Sequence, residues 1–153
     1  MIPFIYAAEE KCFATVPAAV VNGDTLFSLT GGPILIVELV SVCITANGAV
    51  ASTLQYSSTP TVGSAKTISG ASGSLISATA GTVVRLNPTA LTTAPDIVTA
   101  ANGGVVLGGA VANRILVNAG TITAVVGVGT MTGTWRHCIR YKPLTPDSLI
   151  AGN

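Results

Sequence analysis

The chain carries one imidazole, His137, and three thiols, Cys12, Cys43 and Cys138. Its six carboxylates are Glu9, Glu10, Asp24, Glu38, Asp96 and Asp147. General acid–base chemistry needs a histidine or paired carboxylates at one reacting centre. His137 stands between Arg136 and Cys138 in a stretch that reads as a strand, so both neighbours point to the opposite face. A Cys–His nucleophile would need the thiol on a facing position, and only the tertiary fold could bring Cys12 or Cys43 there. His137 is therefore expected to be a core or interface histidine. Glu9 and Glu10 are adjacent and are expected in a solvated arm. Glu38 interrupts an apolar run. A buried carboxylate is costly unless paired, so Glu38 is expected to face solvent or to meet an arginine.

The other routes to chemistry are equally thin. Three widely spaced cysteines suggest neither a disulfide framework nor a zinc site. They read as small hydrophobes in strands, which fits synthesis in a reducing cytosol. Gly103-Gly104 and Gly108-Gly109 lack the lysine and the following helix of a phosphate loop. No catalytic, cofactor-binding or metal residue is assigned. The expectation is a protein without cofactor or small-molecule substrate, and not an enzyme.

Composition says what such a chain could do instead. Its 153 residues suit one domain, but only 8% are charged, against roughly 25% in an ordinary soluble domain. Surface so poor in charge tends to lie against something else. A bilayer fits badly. Residues 34–46 are too few to span as a helix and include Glu38, and residues 105–128 are broken by glycines, asparagines and Arg114. Aromatics at 5% are too few for the girdles of a membrane barrel. Nucleic acid fits badly too, because the net charge is +1 and only Arg136, Arg140 and Lys142 cluster. The opening MIPFIYAAEEK has no basic start or long apolar stretch, so no signal peptide is expected. Other protein subunits are the expected partners.

The elements that would hold these side chains are strands. Thr, Val, Ile, Gly and Ser dominate, and turn residues recur every 8 to 15 positions or so. Strands are expected at 11–16, 25–29, 34–46, 51–57, 65–68, 82–86, 105–107, 114–117, 121–128 and 134–142. Residues 96–101 are read as short and either extended or helical, and 58–63 as a loop. Asn47-Gly48 signals a type I′ hairpin between two of these strands. Gly127 marks a bulge or a close approach. In the last strand Trp135, His137, Ile139 and Tyr141 share one face, and Arg136, Cys138, Arg140 and Lys142 the other. The fold class is all-β, a jelly-roll-like antiparallel β-sandwich of about ten short strands. Residues 1–10 form an N-terminal arm, 11–146 the single domain and 147–153 a C-terminal tail. Candidate interface residues are Ile2, Phe4, Ile5 and Tyr6 of the arm, with Trp135, Arg136, Arg140 and Lys142.

Two segments carry a resemblance. GDTLFSLTGGPILIVELVSVCIT (residues 23–45) follows a short arm, and NAGTITAVVGVGTMTGTWRHCIRYKPLTPDSLI (residues 118–150) closes the chain after a Gly/Ala/Thr/Ser-rich middle. The layout resembles that of tailed-bacteriophage virion structural proteins, in particular jelly-roll capsid decoration (cement) proteins. The similarity covers the two ends and leaves the middle unmatched. It implies a capsid-surface protein of the virion, made in the bacterial host cytoplasm. It also implies a homo-oligomer, expected as a trimer, that binds the major capsid protein. The alternatives are a tail, baseplate or head-fibre subunit, and a non-viral carbohydrate-binding β-sandwich module. The scarcity of aromatics weighs against the last.

Overall fold

The computed structural model describes residues 9–99 and 114–152. Among them are twelve strands and no helix. The strands are β1 (Lys11–Ala14), β2 (Ala18–Ala19), β3 (Thr25–Thr30), β4 (Ile34–Thr45), β5 (Thr53–Pro60) and β6 (Lys66–Thr67). After these come β7 (Val83–Arg85), β8 (Asp96–Val98), β9 (Ile115–Val117), β10 (Gly120–Gly127), β11 (Thr134–Pro143) and β12 (Leu149–Gly152). They form two antiparallel sheets around one core, an all-β sandwich. The seven-stranded sheet runs β1-β11-β4-β7-β8, with β2 beside β11 and β9 beside β4. The five-stranded sheet runs β12-β3-β10-β5-β6. Expected strands at 105–107 and part of 96–101 fall outside the described residues, as do Ile2, Phe4, Ile5 and Tyr6 of the arm.

The longest pair, β4 with β11, sets the frame. On β11 the inward positions Trp135, His137, Ile139 and Tyr141 are buried, and the alternate positions are not. On β4 the alternation changes phase. Ile34 and Ile36 point inward, and then Leu39, Ser41 and Cys43 do. The register explains the switch: Arg140 pairs with Glu38 and Tyr141 with Ile36, so Val37 is an extra residue. That bulge keeps both apolar halves of the strand on the core side and turns Glu38 outward. From the opposite sheet Phe27, Leu54, Tyr56 and Ile122 complete the centre, all fully buried. Phe13 stands edge-on to Phe27, with ring centroids 6.3 Å apart.

Three expectations need correction. Asn47-Gly48 is not a hairpin turn. β4 and β5 lie in different sheets, and neither residue has positive φ. The Asn47 side chain is instead buried as a hub. Its Oδ1 accepts from Trp135 Nε1 at 3.1 Å and from the Gly133 N–H at 3.0 Å, while its Nδ2 donates to the Leu75 carbonyl at 3.1 Å. Bonds to groups distant in sequence outweigh the local turn preference. The chain does not become irregular after Pro143 and Pro146, either. Pro143 still pairs with Ile34, and β12 forms the edge of the five-stranded sheet, so part of the supposed tail belongs to the domain. Finally, β5 continues to Pro60 through residues expected to be a loop, held by the full length of β10.

Gly120 shows a close approach that sequence periodicity does not reveal. Its φ is +151°, and a Cβ there would lie 2.2 Å from the Thr59 carbonyl oxygen. Gly127 is a close-approach site, as a Cβ would meet Thr53 Oγ1 at 2.8 Å. Its pairing with Thr53 is regular, so it is not a bulge.

Candidate functional site

His137 and Ser41 are direct cross-strand partners on β11 and β4. Nδ1 of His137 lies 2.7 Å from Ser41 Oγ, and the Tyr56 hydroxyl lies 2.7 Å from the same oxygen. Tyr56 comes from the facing sheet and also donates to the Val84 carbonyl at 3.3 Å. A hydroxyl beside an imidazole is the geometry of an activated nucleophile. Here Ser41 and Tyr56 are fully buried and His137 is only 4% exposed. Among the described residues no carboxylate accepts a hydrogen bond from the ring. Burial lowers the His137 pKa to about 4, opposed by the charge of Asp24. Burial also raises the Tyr56 phenol, despite its bond to Ser41. The cluster is a polar staple between the two sheets. The sequence marks His137 but not its partners. The signal available was Ser41 itself, a hydroxyl among the inward-facing apolar residues of β4.

Every cysteine lies in a strand and is a free thiol. Cys43 faces the core, and burial raises its thiol pKa. Cys12 and Cys138 lie on the outer face of the seven-stranded sheet, on adjacent strands. Among the described residues no group of three or more His, Cys, Asp or Glu side chains could hold a metal ion. Nor does any helix there have the length and apolarity to cross a membrane.

The two sheets differ most on their outer faces. Register places Arg136, Val42, Val83 and Val98 in one outward row of the seven-stranded sheet. The next row is Ala14, Cys138, Val40, Arg85 and Asp96. Lys142, Leu35 and Leu116 form another, with Leu116 56% exposed. On the five-stranded sheet the corresponding rows are Ser28, Thr121 and Thr59, then Thr25, Thr123 and Ser57. One outer face is thus valine and leucine edged by charge, and the other is mostly serine and threonine. In an antiparallel sandwich the outward positions are ordinarily polar. The five-stranded sheet follows that rule and the seven-stranded sheet departs from it.

Charged groups border the apolar rows. Arg140 lies between Glu10 at 3.2 Å and Glu38 at 3.6 Å, and Arg85 bonds Asp96 at 3.0 Å. Arg85, Arg114, Arg140, Glu38 and Asp96 line a shallow groove floored by Val37, Leu86 and Pro88. The exposed Arg140 pairs are worth about 0–1 kcal/mol each, so they orient side chains more than they stabilise the fold. Of the expected interface residues, Arg136 and Arg140 are exposed on this face, and Lys142 is half-buried there. Trp135 needs correction. It is fully buried in the chain's own core and presents nothing to a partner, because its indole N–H and ring both find partners inside. Tyr141 is buried too, with its hydroxyl accepting from the Ile150 N–H at 3.3 Å. Sequence reasoning missed the valine rows of β4, β7 and β8, which only strand register brings together. Comparison with protein-family models, curated proteins and solved structures found no match to this chain.

Proposed function

We propose that this chain is a non-enzymatic structural subunit that packs into a larger protein shell through the outer face of its seven-stranded sheet. The shell we propose is the capsid of a tailed bacteriophage. There the subunit would serve as a decoration protein, a homotrimer bound to the major capsid protein at the virion surface. One observation carries the reading: a sandwich with one polar outer face and one apolar outer face has a side built for contact. The charged fraction of 8% agrees with large, dry contact areas.

The strand pairing supports a jelly-roll form of the sandwich. β3 pairs with β12, β4 with β11, β5 with β10 and β7 with β8, so the pairs are nested. That is the pattern of one long antiparallel hairpin wrapped around a core. The resemblance of residues 23–45 and 118–150 to phage decoration proteins points the same way.

The mechanism is mass action. A subunit that binds only the assembled shell stabilises it, and many symmetric copies multiply a modest energy per contact. The test is the copy number per purified virion, measured by quantitative mass spectrometry against the major capsid protein. A ratio near one to one, or one trimer per lattice junction, supports the proposal. A few tens of copies or fewer moves the subunit to the tail, baseplate or head fibre. Absence from the particle overturns the phage reading.

A further inference from the structure

We infer that the partner of the seven-stranded sheet's outer face is a different protein chain presenting carboxylates, not a second copy of this one. The inference rests on the assembly reading above and adds the chemistry of the partner. The chain has seven basic side chains, and five of them, Arg85, Arg114, Arg136, Arg140 and Lys142, belong to this face or its groove. The carboxylates there, Glu10, Glu38 and Asp96, are engaged within the chain by Arg140 and Arg85. Among the described residues Arg136 and Lys142 have no carboxylate within 4.0 Å. They close opposite ends of the outward row of β11, six residues apart, which is about 20 Å along a strand.

Two copies meeting through this face would bring ten cations onto six carboxylates already in use. Like charges brought together at an interface disfavour that pairing. The rest of the surface offers little acid, since the remaining carboxylate side chains are Glu9, Asp24 and Asp147, and Asp24 already accepts from the Val21 N–H. The complementary surface therefore has an apolar centre, to cover Val40, Val42, Val83 and Val98, and carboxylates about 20 Å apart, to meet Arg136 and Lys142.

The test uses the full chain and a synthetic seven-residue strand, Glu-Thr-Val-Thr-Val-Thr-Glu, whose end carboxylates have that spacing. The control is Lys-Thr-Val-Thr-Val-Thr-Lys. Binding is followed by NMR shift changes at Val42, Val83 and Cys138, at low salt and in 0.5 M salt. The acidic strand should bind about tenfold tighter than the basic one, with the preference lost in high salt. The double variant Arg136→Glu/Lys142→Glu should reverse it. Equal binding of the two peptides, binding on the Thr121–Thr123 face, or no binding overturns the inference. So does a self-dimer in sedimentation velocity that Val42→Glu abolishes. That last result would leave the assembly reading standing, whereas absence of the chain from purified virions would sink the phage reading and leave the charge argument intact.

Discussion

Ser41 Oγ lies 2.7 Å from His137 Nδ1, deep in the core. Burial there holds the imidazole neutral near pH 7, and the contact ties it to the fold. Its consequence is a pH dependence with a definite sign. In the unfolded chain the ring takes a proton near pH 6.5 and in the fold only near 4. Between those values the unfolded state binds more protons, so stability falls as pH drops through that window. The loss approaches about 3 kcal/mol at the acid end. Urea denaturation at pH 7.5 and 4.5 should show it, and His137→Gln should remove most of the slope. A wild-type slope no steeper than the variant's would show that the ring titrates freely in the fold.

Asn47 should be among the most sensitive polar positions. Its side chain meets Trp135, Gly133 and Leu75 at once. Asn47→Ala leaves the buried Trp135 indole N–H and the Gly133 N–H without partners, while the Leu75 carbonyl keeps its bond from the Ala78 N–H, at a cost of about 2–4 kcal/mol. Trp135 is the chain's only tryptophan, so its fluorescence in a denaturant titration reports the change directly. A loss under about 1 kcal/mol would mean that water substitutes for the amide.

Gly31 and Gly23 make a paired test of sterics against backbone strain. Gly31 has φ +79°, and a Cβ there would lie 1.8 Å from the Asp147 carbonyl oxygen. Gly23 has φ +91° with no atom within 4 Å. Gly23→Ala should cost only the left-handed penalty, about 1–2 kcal/mol. Gly31→Ala should cost clearly more, because the turn before β12 must shift. The two melting temperatures measure the difference, and equal losses would show that the loop at Asp147 yields freely.

The thiols should react in the order of their exposure. Cys12 is exposed, Cys138 intermediate and Cys43 buried, and burial raises the pKa of the last two. A disulfide reagent at neutral pH should label Cys12 first, then Cys138, and leave Cys43 intact until the chain unfolds. Mass mapping of the labelled peptides gives the order. Early labelling of Cys43 would indicate that the β4–β7 region opens readily.

Much of the fold was legible because strand chemistry is local. The Val, Thr and Ile content, the alternation of β11 and the Gly and Asn punctuation need no partner to be read, and they specify an all-β domain. What the sequence could not determine was which strands become neighbours. Asn47-Gly48 has hairpin chemistry, yet the free energy of seating Asn47 against Trp135 and Leu75 sends the chain into the other sheet. Val37 is an unremarkable apolar residue until register makes it a bulge that turns Glu38 outward. Trp135 looked like an interface residue, and the core claimed it. Val42, Val83 and Val98 are ordinary strand residues far apart in sequence. Only long-range pairing aligns them into a face, because the hydrophobic gain from burying one side of a sheet selects the register, and the register decides what the other side displays.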